Sequence, residues 1–544
     1  MKKITLIFLC VNLFACTNHE AAVKKAESVI TNEVLAKQIS VLASNEFMGR
    51  KPMTVGEGKS IDYIRNEFKK MALTPAFGES YYQKVPMVEI NYHPSDLKIN
   101  TGKKNYTLTL NKDFVAFSKR VTNKIELDRS QLVFAGFGIV APEYHWNDYA
   151  GVDVKGKTVI VLVNDPGFVT KDSTLFTGNA MTYYGRWTYK YEEAARQGAA
   201  GVLIVHEDKA ASYPWSVVET GANTAHLYID RKDNYMDRCK LEGWLTKDAA
   251  TALLSDLGMN YEELKAEACK QGFKPVLLPA EVSLTMQNTF KKSTSNNVGA
   301  MIQGTTHPGE AIVYVAHWDH LGVGKPVNGD SIYNGANDNA SGVASLLEIA
   351  KAFSSMKEQP QRSLIFLAVT AEEAGLLGSE YYVEHPVIPM AKTIADITMD
   401  GMGFYGYTND IQIVGYGLSD MDNYVKEVAK EQNRVVLPES HPEDGSFYRS
   451  DQLFFAFAGV PVLYLKSGDI IPGMDKEKAA TMIQENFLAN YHKPSDEFHP
   501  GKDDLAGDLA NTKLLFRVGA KLADGNEYPD WNPDSPYQRS KEKD

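Results

Sequence analysis

Seven residues carry the chemistry this sequence can do: His317 and Asp319, Asp338, the adjacent pair Glu372 and Glu373, Asp400, and His492. Imidazole nitrogens and carboxylate oxygens are donors that zinc accepts. Hydrolysing an amide at neutral pH needs a strong nucleophile, a polarised carbonyl and a proton shuttle, and a pair of zinc ions with a free carboxylate nearby supplies all three. Taken singly, each residue reads as structure: a lone His at a strand end is usually hydrogen-bonded packing, and a lone Glu-Glu pair a solvated loop. Their common placement carries the argument.

That placement follows from the elements around them. After Asn296 the chain repeats buried strand, loop and helix, the pattern of a mostly parallel α/β sheet flanked by helices. Residues 311–316, 363–369, 393–399 and 460–465 read as strands, and 342–353 and 421–431 as helices. His317 and Asp319 then fall at the C-terminal end of the first strand, Glu372 and Glu373 directly after the second, and Asp400 directly after the third. Open α/β sheets form their sites at that edge. Asp338 lies in Asn337-Asp338-Asn339-Ala340-Ser341-Gly342, the turn feeding a helix, so its carboxylate can reach the same edge, and one carboxylate can bridge two metals. His492, in Asn490-Tyr491-His492-Lys493-Pro494-Ser495-Asp496, comes from a late loop.

These pieces resemble, residue by residue, the co-catalytic zinc exopeptidases of the bacterial leucyl aminopeptidase type, a family related to glutamate carboxypeptidase and glutaminyl cyclase. The resemblance spans the opening helices and residues 296–500. It implies two Zn2+ per chain, one held by His317, Asp338 and Asp400 and the other by Asp338, Glu373 and His492. It also implies Glu372 as general base beside a hydroxide bridging the metals, and Asp319 as the group that orients His317. Three carboxylates and that hydroxide cancel the four charges of two zinc ions, a balance a buried site needs. Ser450-Asp451, with Gly445-Ser446-Phe447-Tyr448-Arg449 before it, resembles a family segment lining the substrate cleft, which implies Asp451 at the substrate and Tyr448 at the oxyanion. Gln452 departs from the His that relatives often carry there, and Asp496 reads as a brace for the His492 loop. The implied activity is removal of N-terminal residues from peptide substrates. A glutamate-type carboxypeptidase and glutaminyl cyclase are alternatives on the same fold; the cyclase works with a single zinc, and His317 and Asp400 beside the other ligands favour two.

The 544 residues exceed one ordinary domain. Phe134-Ala135-Gly136-Phe137-Gly138, Asp153-Val154-Lys155-Gly156-Lys157 and Ala194-Ala195-Arg196-Gln197-Gly198-Ala199-Ala200-Gly201 resemble the protease-associated domain, a smaller α/β lobe inserted in several exopeptidase families. The expected order is an export signal at 1–16, the N-terminal part of the catalytic domain at 22–92 with amphipathic helices at 22–43 and 56–71, the inserted lobe at 93–288, the main catalytic domain at 289–525 and a loose tail at 526–544. Lys2 and Lys3 precede an apolar run, 4–15, that is short for a transmembrane helix. Its end, Leu13-Phe14-Ala15-Cys16, resembles the lipobox of bacterial lipoproteins, although Phe14 is larger than the usual residue there. That resemblance implies export and a lipid anchor on Cys16 in a bacterial membrane, with plain signal cleavage and a periplasmic protein as the alternative. A formal charge of -12 argues against nucleic acid as a partner. Cys239 and Cys269 either pair in an oxidising compartment or stay free, and their spacing does not decide which.

Overall fold

The computed structural model describes residues 19–526 and 528–539. The lipobox expectation at Cys16 lies outside them. The chain divides into two units, one made of Met1–Val85, Thr294–Ser440 and Arg449–Asp544, the other of Pro86–Ser293 with His441–Tyr448.

The first unit is built on four parallel strands, Arg362–Val369, His307–His317, Thr393–Thr398 and Val462–Ser467, side by side in that order. Antiparallel strands flank them: 298–302 beside Arg362–Val369, and Asp410–Val414 beside Val462–Ser467. Every residue of Arg362–Val369 and Thr393–Thr398 is buried, as strands covered on both faces require. Helix Ser341–Ser354 is buried on nearly every side. Helix Ala506–Asp524, which the sequence reading did not pick out, is buried along most of its length, and Asp508, Asn511, Thr512 and Arg517 are among its buried residues. It lies close to the strand His307–His317: Tyr314 Oη donates to Leu515 O at 3.1 Å, and a Cβ on Gly519 would fall 1.6 Å from that same Oη.

Two expectations fail here. The helix expected over 22–43 is broken into 19–27 and Asn32–Leu42. The β-branched run Val29-Ile30-Thr31 resists helix, and Ile30, with no exposed surface, turns into the core at the break. The tail from 526 is docked, not loose, through residue 539. Trp531 is 4% exposed and donates from Nε1 to Gly459 O at 3.0 Å, while Arg539 donates to the carbonyls of Thr393 and Ile394 at 3.0 and 2.7 Å. Trp531 and Tyr537 bury enough apolar surface to order a segment whose composition otherwise looks unstructured.

The second unit has its own parallel set, Lys124–Phe134, Thr158–Leu162, Gly201–His206 and Leu241–Thr246, with Phe114–Phe117 antiparallel to the last. Cys239 and Cys269 are both free thiols, and burial pushes the Cys239 thiol up.

Glu242, in the strand Leu241–Thr246, is wholly buried, and neither carboxylate oxygen has a hydrogen-bond partner among the described residues. Burial raises its carboxyl from 4.5 to about 7. Between those values the folded chain keeps a proton that the unfolded chain has released, so stability falls as pH rises through that window. Glu242→Gln removes the effect. The variant is expected to gain up to about 3 kcal/mol over the parent above pH 7 and almost nothing near the ordinary glutamate value. Thermal melts at the two ends of the window check this, and identical midpoints at the alkaline end would refute it.

Candidate metal centre

Register delivers the side chains to one edge. His317 lies opposite Val369, and Val315 opposite Thr398, so His317, the Glu372-Glu373 pair and Asp400 all emerge where their parallel strands end. Asp338 reaches the same edge from a non-helical turn before Ser341–Ser354, and the Asp338–Asn339 peptide bond is cis. Asn339 ties that turn to the end of the strand before Asp400, donating from Nδ2 to Met399 O at 2.9 Å and accepting from Gly342 N at 2.9 Å. Gly342 has no room for a Cβ, which would lie 2.2 Å from Asn339 Oδ1. Asp496 accepts the N–H groups of Asn337 and Asp338, each at 3.0 Å, so it braces the Asp338 turn as well as the loop that carries His492.

The donor atoms fall into two groups that share Asp338. His317 Nε2 is 3.3 Å from Asp338 Oδ1 and 3.3 Å from Asp400 Oδ1. His492 Nε2 is 3.2 Å from Asp338 Oδ2 and 3.1 Å from Glu373 Oε2. Glu372 stands beside the first group, its Oε2 4.0 Å from His317 Nε2. Ser450 Oγ donates to the other oxygen of Asp400, Oδ2, at 2.7 Å.

Asp319 acts differently from the expectation. His317 Nδ1 is 3.1 Å from the main-chain oxygen of Asp319 but 3.8 Å from its carboxylate, because the chain turns directly after the strand and brings its own carbonyl under the ring. The Asp319 carboxylate instead accepts the Glu372 N–H at 3.1 Å and so fixes the loop of the expected base. Asp451, expected to line the cleft, is fully buried and accepts from Ser379 Oγ at 2.7 Å, which makes it a brace behind the site. Tyr448 belongs to the second unit, where its ring centroid lies 5.7 Å from that of Tyr183.

Electrostatics test whether cations fit. Burial pushes the His317 imidazole down, but the Glu372 and Asp400 carboxylates outweigh it and hold its affinity for a proton well above the usual histidine range. His492 is raised in the same way by Glu373 and Asp338. Burial together with Glu373 and Asp400 raises Glu372 well above the ordinary carboxylate range despite His317. This is the behaviour of a donor set with more negative than positive charge, in which protons occupy places that metal cations take by displacing them. His317, Asp338 and Asp400 have donor atoms all within 4.8 Å of one another, as do His320, Asp338 and Glu373, a spacing that suits a shared ion. The residues fit divalent cations of the zinc type.

Residues 297–516 match the family model described as Peptidase family M28. This segment belongs to peptidase family M28. Among curated relatives, the M28 segment's chain is 34% identical over 277 residues to "Aminopeptidase NAALADL1" of Mus musculus, covering 46% of this chain and 34% of that protein. It is 34% identical over 199 residues to "Leupeptin-inactivating enzyme 1" of Streptomyces exfoliatus, covering 35% of this chain and 42% of that protein. The chain thus spans less than half the length of either relative. The solved aminopeptidase from Aneurinibacillus sp. strain AM-1 shares the fold, with a TM-score of 0.50 and 19% identity over 93% of this chain and 97% of its own.

Two residues of the first unit escaped the sequence reading. Arg50, 1% exposed, donates to the carbonyls of Leu42, Trp318, Asn334 and Gly335 at 2.5 to 2.9 Å, pinning the loops on either side of the first metal group. Nothing in the sequence distinguishes it from a surface arginine. His320, 1% exposed, sets Nδ1 2.6 Å from Glu373 Oε1 and with Asp338 and Glu373 forms a donor group of its own. Its signal was present in His317-Trp318-Asp319-His320, a second imidazole one turn of loop beyond the first.

Proposed function

We propose that the chain is a zinc-dependent aminopeptidase working with two ions, held by His317, Asp338 and Asp400 and by Asp338, Glu373 and His492. The observation that carries this reading is the division of Asp338, whose two oxygens face different imidazoles, with Glu372 beside one of them. The family assignment of residues 297–516 and the aminopeptidases among the relatives point the same way. Zinc bound there supplies Lewis-acid polarisation of the scissile carbonyl and acidifies water. Glu372 takes the proton of the attacking water and passes it to the leaving amine nitrogen. Asp319 keeps the Glu372 loop in place, and Ser450 holds Asp400. Residues 93–288 remain our candidate for a protease-associated lobe.

The test is metal content measured with turnover of short peptides, one set with free and one with blocked N-termini, before and after chelation. Two metals per chain, cleavage of free N-termini only and loss of turnover on chelation are the expected results. Cleavage confined to blocked peptides would favour a carboxypeptidase, and one metal with cyclisation of N-terminal glutamine a cyclase.

We also propose export and anchoring through Cys16, on the strength of Lys2-Lys3, the apolar run after them and Leu13-Phe14-Ala15-Cys16. Cys16→Ser is expected to move the exported protein from the membrane to the soluble fraction. Continued membrane association after fractionation would refute the anchor.

A further inference from the structure

We propose that His320 is a positioning residue for the second metal: its Nδ1–H holds Glu373 Oε1, so that Glu373 presents only Oε2 to the ion that Asp338 Oδ2 and His492 also face. This rests on the two-ion reading above. An ionised carboxylate only accepts hydrogen bonds, so the nitrogen 2.6 Å from Oε1 carries the proton. The other oxygen, Oε2, lies 3.1 Å from His492 Nε2. The two oxygens of Glu373 therefore face two different histidines, one engaged with a donor and the other left for the metal. A glutamate that turns freely gives up rotamer entropy each time it closes on an ion, and pinning one oxygen removes much of that cost in advance.

The position is built for this purpose. The His320 ring lies against Gly335, where a Cβ would come 2.5 Å from His320 Cγ, so no larger residue leaves the ring its place. Gly335 sits at φ 56°, a conformation glycine adopts without strain, and its carbonyl accepts from Arg50 Nη2 at 2.7 Å. The ring meets His492 edge to face, with centroids 5.7 Å apart and planes at 71°, which fixes its remaining freedom. His320 Nε2 is buried and has no hydrogen-bond partner among the described residues, so the ring's hydrogen bonding is directed at Glu373.

The experiment compares His320→Ala and His320→Asn in the full chain. Metal content is measured by plasma mass spectrometry, the affinity of each ion by competition with a chelator, and the imidazole count per zinc by X-ray absorption of fully loaded protein. Ala is expected to weaken one of the two ions by roughly 10–100-fold and spare the other. Asn, whose Nδ2 stands where Nδ1 stood, is expected to recover most of that loss, and the imidazole count is expected not to change. Should Ala fail to fold, as judged by circular dichroism of the metal-free protein, His320→Gln replaces it, filling the site with its donor one atom further out. Both ions held as tightly as in the parent would overturn the proposal. So would a lower imidazole count, which would make His320 a ligand, or an Asn variant no better than Ala, which would make it packing. An unsubstituted chain that binds a single ion would refute the two-ion reading and the proposal with it.

Discussion

Glu372→Gln is expected to lower kcat by roughly 10²–10⁴-fold, the usual contribution of a positioned general base, while the protein still holds two metals. Gln matches Glu in volume, and the main chain at 372 is fixed independently of the side chain: its N–H donates to Asp319 Oδ1, and its carbonyl accepts from Gly375 N at 2.8 Å and Leu376 N at 2.9 Å. The loop therefore keeps its course. What the amide loses is the ability to accept a proton. The side chain is close enough to the first donor group to serve the attacking water, with Oε2 4.0 Å from His317 Nε2, yet it belongs to neither set of shared donors. The loss should fall on kcat, with KM nearly unchanged, because the proton moves only as the bond is made and broken. Steady-state kinetics with metal analysis of the same sample decides the matter. Near-normal turnover would end the assignment, and loss of a metal would show that Glu372 is a ligand instead.

The contrast between Glu372 and Asp319 shows how far sequence reasoning reaches. Strand ends could be located because residues 364–369 are apolar without interruption and Thr393–Thr398 carries Asp396 as its one charged residue, close to the pattern of a doubly covered strand. Once those ends were fixed, the edge shared by His317, Glu372, Glu373 and Asp400 followed. What did not follow was which atom of a residue does the work. Asp319 lies beside His317 as expected, but its carbonyl meets the ring and its carboxylate goes to the Glu372 loop, a matter of one backbone rotation that no spacing encodes. Arg50 acts from 268 positions away in the chain, through carbonyls that have no residue identity. The tail through residue 539 was misjudged because composition averages over a segment, whereas a few residues, Trp531, Tyr537 and Arg539, supply the anchor.

Asp338→Ala is expected to weaken both metal positions together, each by more than the roughly 10–100-fold that follows loss of a merely supporting group. One carboxylate serves both groups, Oδ1 facing His317 and Oδ2 facing His492, so a single truncation removes a donor from each. Asp400→Ala provides the contrast, since Asp400 is paired with His317 and should affect one position only. The backbone at 338 does not depend on the lost side chain: its N–H remains tied to Asp496 Oδ2, and Asn339 still fastens the turn to Met399. Fold damage is therefore not the expected cause. Burial disfavours the ionised Asp338 side chain in the metal-free protein, but His317 and His492 outweigh it and hold the carboxyl well below the ordinary range, so the variant without metal loses two attractive contacts and should melt no higher than the parent without metal. The stabilisation that metal adds to the parent, which grows with the ratio of free metal to dissociation constant, should shrink sharply in the variant. Thermal melts with and without zinc, alongside metal analysis, separate these effects. Two tightly held ions in Asp338→Ala would mean that the two groups are independent and that Asp338 bridges nothing.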